Sequence, residues 1–451
     1  MEDAGDPRAR RRWRSRRRGV IARIDEIAQR ALGDTAMVAP VPDQAPEEVL
    51  ELLRDLGAAM SRAQDNAERI TLILDDVAKA YGAYGVSFFV LPTGIFVRIE
   101  AGSSTRVDFA PTSSQSSLRL DQIDQLYRVV DDIRQGKLDV ATAKARLAEL
   151  LRRPRRLGMA SVVIGTTILT LGLGLLLHPT AGAVPAYLLL GLVVGVLQWV
   201  AERERTLAML LPVAASFAVT WAAFAWAAPT FDAAPLDLVI AALVVFLPGA
   251  ALTMATVELA AGSMLSGSAR LVYGLQRLLL LSFGIAMGVQ VAGLPDHAAT
   301  SETLGAWAPW VGVFVFAVGH FFASAAPGRT FAWLVLVLYV AYAAQFAAGA
   351  VLGSLGGSFV AGAVLLPVAY LVQDRRSGPP VPATFLPAFW MLVPGALGLE
   401  GVTQLIGDEE VAGLGDFLNA LLAVVAIAIG VLVGSGFSER VGRATSHWRG
   451  I

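Results

Sequence analysis

Two Pro-Gly pairs set in long apolar stretches, Pro248-Gly249 and Pro394-Gly395, are the residues of this chain best suited to hold a ligand. Proline removes a backbone donor and breaks the helical ladder, so nearby carbonyls and amides are freed. A helix restarting after the pair also offers its amino terminus to an anion. A carboxylate follows each pair: Glu258 ten residues after Pro248, and Glu400 six residues after Pro394. Carboxylates at membrane depth cost roughly 3 kcal/mol, which makes such residues proton carriers or cation sites when truly inside and ordinary charges at headgroup level. Arg277, beside Gln276, is a cation that meets a ligand carboxylate, pairs with Glu258, or snorkels to the surface. Asn419 is a lesser candidate, and His320 reads more readily as a helix-packing residue than as a proton relay.

Other chemistries lack their residues. Cysteine is absent, which removes disulfides, thiol catalysis and thiolate metal ligands together. The four histidines, His178, His297, His320 and His447, are far apart and form no zinc pattern, so no metal and no cofactor is implied. Residues 1–150 hold neither histidine nor cysteine, so no Ser–His or Cys–His pair can be built there. Gly85-Val86-Ser87-Phe88-Phe89 lacks the second glycine of a nucleophile elbow. The chain is not expected to be an enzyme. A net charge of -1 gives no case for nucleic acid.

The elements that position these residues are set by a step in composition. Of 451 residues 55% are hydrophobic and 16% charged, but the charge is uneven: 45 of residues 1–150 are charged against 28 of the remaining 301. The first part has a soluble composition and the second a membrane composition. Residues 1–45 are a disordered arm and linker, with a basic cluster at residues 8–18 that is either a solvated tail or a contact for anionic lipid. It is no signal peptide, because Arg23, Asp25 and Glu26 interrupt the stretch that would have to be apolar. Residues 46–151 read as an α+β domain: helices from Pro46 and over 66–81, a hairpin turning at Pro92-Thr93, a third strand at 105–109, and helices at 119–136 and 139–151.

Ten apolar stretches of spanning length come next, near 157–177, 182–200, 207–228, 237–257, 271–292, 307–325, 331–350, 355–372, 383–400 and 415–436. Alternate loops separate by charge. One set carries Arg152, Arg153, Arg155, Arg156, Arg203, Arg205, Arg270, Arg329, Arg375 and Arg376, with Arg440, Arg443 and Arg449 in the tail. The other set, near 178–181, 229–236, 293–306, 351–354 and 401–414, has no Lys or Arg. The positive-inside rule therefore puts both termini in the cytoplasm. The Pro-Gly pairs fall in the fourth and ninth spans, each the fourth of a five-span unit. Five is odd, so residues 152–293 and 294–451 form two repeats of opposite orientation. The fold expected is an all-α polytopic membrane protein, with ten transmembrane helices in two inverted five-helix repeats and an N-terminal cytoplasmic α+β domain.

These residues resemble the bacterial threonine/serine exporter family. The likeness rests on Leu91-Pro92-Thr93-Gly94, on Leu118-Arg119-Leu120 with Gly136-Lys137-Leu138, Ala143 and Leu147, on Leu247-Pro248-Gly249 with Glu258-Leu259, and on Gly262, Ser266-Gly267 and Arg270-Leu271. Spans six to ten with Pro394-Gly395 match the family's second membrane domain. Where the family often has Asp after the first Pro-Gly, this chain has Glu258. The resemblance implies export of threonine and serine across the bacterial cytoplasmic membrane, driven by protons. The scarcity of lysine, three against 33 arginines, fits a GC-rich bacterial genome.

On this reading the substrate carboxylate meets the half-helix amino termini at Pro248-Gly249 and Pro394-Gly395, while Glu258 or Glu400 meets the ammonium and then a proton. Export of a dicarboxylate such as succinate is the first alternative, and a membrane-anchored sensor or enzyme the second. The soluble domain is also open to a gating role, and a second copy of the chain, forming a homo-oligomer, is a further candidate partner.

Overall fold

The computed structural model describes residues 46–101, 104–112, 117–155, 157–177, 179–203, 205–293, 302–375, 377–392 and 422–436. Its first part is an α+β unit. α1 (Pro46–Arg62) and α2 (Ala67–Ala80) bury stripes at helical spacing, Leu52, Leu53, Leu56 and Met60 from the first and Ile70, Ile73, Leu74 and Val77 from the second. Asn66 starts α2 by accepting the Arg69 backbone N–H at 2.6 Å. The strands β1 (Val86–Leu91), β2 (Gly94–Ala101) and β3 (Ser104–Pro111) form an antiparallel sheet in sequence order. Ile95, Val97 and Ile99 alternate toward the helices while Phe96 faces outward between Phe89 and Phe109. α3 (Leu120–Arg134) and α4 (Val140–Arg152), the latter capped by Asp139, close the unit over one apolar core.

The described residues beyond it are mainly helical, and the chain is a multi-pass membrane protein. α5 (Ala160–Leu177), α6 (Ala183–Ala201) and α7 (Arg205–Ala222) come first; α7 continues through a π-helical turn, Ala223–Ala227, to Phe231. α8 (Pro235–Leu243) and α9 (Gly249–Ala260) are two halves of one bent element. α10 (Met264–Ala292), α11 (Ala308–Ala323), α12 (Phe331–Gln373), α13 (Val381–Leu392) and α14 (Leu422–Gly436) complete the described chain. Five helices are long and apolar enough to cross a membrane, or six with the bent pair taken as one span. The ten spans and two repeats expected are not established by this count, because α11, α13 and α14 are shorter and residues 393–421 lie outside the described residues. The spans expected at 331–350 and 355–372 form one continuous assignment, α12, with a break at Gly353 (φ 76°). There the chain turns back: a Cβ on Gly357 would lie 2.7 Å from the Gln345 carbonyl. In an unbroken helix those residues would stand about 18 Å apart.

Glycine sets the closest helix contacts. α5 and α11 cross antiparallel, with Gly165 on Ala323, Gly319 on Leu169, and Gly172 on Phe316. A Cβ on Gly172 would stand 2.4 Å from the Phe316 backbone nitrogen, so neither helix can yield by moving a side chain. Gly172→Leu is expected to cost more than the roughly 1–3 kcal/mol of ordinary overpacking. The check is the amount of monodisperse protein extracted from membranes, which should fall severely while Gly349→Ala, facing open space, leaves it unchanged.

The connections gather at two ends. Segments at 179–181 and 302–304 pair through the Thr180–Thr303 bridge, with the Leu304 N–H donating to the Pro179 carbonyl at 2.7 Å. At the opposite end the α+β unit is tied to the helices. The Leu120 N–H donates to the Ser324 carbonyl at 3.2 Å and Arg329 pairs with Asp124, while Arg155, in the segment between α4 and α5, donates to Glu202 at 2.7 Å.

Candidate functional site

The expected break at Pro248-Gly249 is present. α8 tightens into a 3-10 turn at Val244–Phe246, Leu247 is extended, Pro248 stands at the amino cap, and α9 starts at Gly249. The two halves meet at 58°. The first 5→1 bond of α9 is from the Leu252 N–H to the Pro248 carbonyl, 2.9 Å, so the amides of Gly249, Ala250 and Ala251 precede the ladder and lack helical partners. A Cβ on Gly249 would meet nothing within 4 Å, so packing does not require glycine there.

Glu258 sits in the last turn of α9 and is only 2% exposed. Its carboxylate accepts from Ser266 Oγ at 2.6 Å and from Arg270 Nε at 3.1 Å, both on the first turns of α10. The turn that joins the two helices is made by Gly262 (φ 86°), and Gly267 lets their backbones meet, since a Cβ there would lie 2.9 Å from the Ala255 carbonyl. A third donor comes from the α+β unit: the Ala67 N–H, at the start of α2, reaches Glu258 Oε1 at 3.2 Å. A helix amino terminus favours such a carboxylate. Arg270 also donates from Nη2 to the Asp65 carbonyl at 2.9 Å. The same turn continues the network outward: Asp65 accepts from Tyr127 and pairs with Arg69 at 3.5 Å. Burial and the Asp65 carboxylate hold the Tyr127 phenol well above its usual range, so it stays a donor.

Arg270 was expected among the loop cations, yet it is 8% exposed and forms the ion pair that the sequence offered to Arg277. The physical reason is spacing. Ser266 and Arg270 lie on one face of α10, one and two turns past the hairpin, whereas Arg277 is two turns further along.

Two cavities flank the broken span. The larger, about 370 Å³, is lined by Pro248, Ala250 and Ala251 at the α9 amino terminus, by Tyr273 and Arg277, and by His320 and Trp390. That volume lies within the range of small-molecule sites, about 300–1,000 Å³. The smaller, about 130 Å³, is lined by Glu258, Asp65, Arg69 and Tyr370. Gln64, held at φ 65° between α1 and α2, lines both. So Pro248 and Arg277 share one cavity, Glu258 faces the other, and Gln276 is exposed and lines neither. Pro394, Gly395, Glu400 and Asn419, with the basic arm, fall outside the described residues, as do His178, His297 and His447. No group of residues able to hold a metal exists among the described residues.

Asp65, Gln64 and Ser266 were not singled out as site residues from sequence. Asp65 and Arg69 have the i,i+4 spacing of any surface helix pair. Ser266 appears in the sequence only within the family-like stretch Gly262, Ser266-Gly267 and Arg270-Leu271, which proves to be the hairpin enclosing Glu258.

Comparison with known proteins identifies a family. The model of the ThrE family, described as "Putative threonine/serine exporter", matches residues 51–292, from α1 through α10. The chain is also 31% identical over 137 residues to "Pheromone-regulated membrane protein 10" of Eremothecium gossypii, which is 29% of this chain and 18% of that protein. It is 30% identical over 124 residues to "Uncharacterized protein C7D4.12c" of Schizosaccharomyces pombe, 26% of this chain and 16% of that one. The match thus spans under a fifth of either relative's length. No solved structure matches.

Proposed function

The chain belongs to the threonine/serine exporter family, and from that premise we propose that it is a secondary exporter of threonine and serine from the cytoplasm, driven by proton entry. The observation that carries this reading is the cavity at the broken span, where a helix amino terminus and a guanidinium face the same space. Both attract a carboxylate, and Arg277 has no salt-bridge or hydrogen-bond partner among the described residues. Glu258 is the proton carrier. Charged, it is held by Arg270 and by the Ala67 N–H, which keeps the turn containing Gln64 against the substrate cavity. Protonated, it loses the ionic part of both contacts, and that turn is released. Proton uptake thus reshapes the mouth of a cavity that Glu258 does not itself line. The α+β unit is the gate.

The membrane plan on this reading is two inverted repeats in the plasma membrane of a bacterium, with both termini in the cytoplasm. Three packing patterns support it. α5 and α11, first in each unit, cross antiparallel. α7 and α10, third and fifth of the first unit, run parallel with Gly284 on Ser216 and Gly288 on Thr220. The second half of α12 and α14, third and fifth of the second unit, also run parallel, with Gly362 on Ile427 and Gly434 on Ala363. Pro394-Gly395 and Glu400 are the counterparts of the first broken span. Anionic lipid at the basic arm completes the proposed partners.

Export of a dicarboxylate is a second reading, favoured by one observation: the described lining of the larger cavity holds the Arg277 cation and no carboxylate. Efflux from cells lacking their own exporters separates the two. Outward movement of labelled threonine and serine that stops when the proton gradient is collapsed is the expected result, and movement of succinate alone would overturn the substrate. Arg277→Gln should raise the KM for threonine about 10- to 100-fold, the loss of a charged hydrogen bond worth roughly 1.5–3 kcal/mol. An unchanged KM would remove Arg277 from the site.

A further inference from the structure

We propose that His320 selects hydroxyl-bearing substrates by hydrogen-bonding the side-chain hydroxyl of threonine or serine; the inference rests on the export reading above. His320 lies in the last turn of α11, is 8% exposed, and lines the larger cavity with Pro248 and Arg277. Its Nδ1 is buried without a partner, and among the described residues neither ring nitrogen makes a hydrogen bond. Native proteins seldom leave a buried polar group so. A neutral imidazole carries one donor and one acceptor on nitrogens that point apart, so a substrate hydroxyl meets one of them, donating to the bare nitrogen or accepting from the protonated one.

The surroundings of the ring suit a neutral partner. Phe316 stacks on it with centroids 6.0 Å apart, and Trp390 meets it edge to face at 6.0 Å. These contacts fix the ring in an apolar frame, so little rotational freedom is lost when it binds. The charged end of the substrate is drawn elsewhere, to Arg277 and the free amides of α9, by a Coulombic attraction that imidazole cannot match. Ser324, on the same wall, donates its hydroxyl to the His320 carbonyl, so its proton is already engaged. The geometry therefore divides the substrate: carboxylate toward α9 and α10, hydroxyl toward α11. A site built to hydrogen-bond a hydroxyl rejects the analogue lacking it, because the protein group is left unpaired.

The test is export of threonine against 2-aminobutanoate, which is threonine without its hydroxyl. The native protein is expected to prefer threonine about 10- to 100-fold in kcat/KM. His320→Phe keeps the ring contacts to Phe316 and Trp390 and removes both nitrogens; it should bring that preference close to one. His320→Gln should restore part of it, which a purely structural role would not do. A preference unchanged in His320→Phe overturns the inference while leaving threonine export standing. If His320→Phe does not reach the membrane, the imidazole NMR signal absent from His320→Gln is followed in the native protein. It should shift with threonine and not with 2-aminobutanoate, and equal shifts, or none, overturn the proposal. Failure of the native protein to move either amino acid would instead overturn the export reading itself.

Discussion

Glu258→Gln is expected to leave the protein in the membrane and to uncouple it from the proton gradient. Glutamine keeps the volume of the side chain and an amide oxygen for the Ala67 N–H, and its amide NH2 can donate to the Ser266 hydroxyl that donated before, but it carries no charge for Arg270 and cannot exchange a proton. The variant is fixed in a state resembling the protonated one. In vesicles, a one-for-one exchange driven by one pH unit sustains a solute ratio of about 10, since one pH unit corresponds to about 1.36 kcal/mol. In the variant that ratio should fall to about 1, while movement of threonine down its own gradient continues. A variant holding the native ratio would sink the coupling role of Glu258, whereas loss of downhill movement as well would make Glu258 part of substrate binding.

The second large effect is on stability. Arg270→Met leaves the Glu258 carboxylate in place, 2% exposed, with its cation gone. Breaking one side of a buried pair costs roughly 3–5 kcal/mol, because the remaining charge has no water to return to. The bond from Arg270 to the Asp65 carbonyl is lost as well, so the α+β unit loses a tie to the helices. A fall in melting temperature on the order of 10 °C is expected. Combining Arg270→Met with Glu258→Gln removes both charges and should recover most of that loss without recovering coupling. The double-mutant cycle isolates the pair. If the single Arg270→Met variant melts with the native protein, the pair contributes nothing to holding the two parts together.

The helices and strands of the first 150 residues were legible because each carries its own period. Leu52, Leu53 and Leu56 mark one helix face, and Ile95, Val97 and Ile99 alternate along a strand. The broken span was legible for a different reason. Pro248 denies a helix its donor wherever it is placed, so the break needs no knowledge of the neighbours. Glu258 stood out because a carboxylate among apolar residues is costly anywhere in a membrane.

What the residues near Glu258 do was not legible. Arg270 looks like any loop cation until the turn at Gly262 folds α10 back along α9 and Gly267 lets the two backbones touch. Asp65, Gln64 and Ala67 stand about 190 residues before Glu258, and no local period links them to it. Composition, periodicity and the positions of proline told where helices run and where one must break, because these are properties of short stretches of chain. Which cation neutralises Glu258, which turn lines the cavity that holds Arg277, and which cavity His320 lines depended on contacts between distant stretches. Those contacts are chosen by how whole helices pack, and packing is decided only when every surface is present at once.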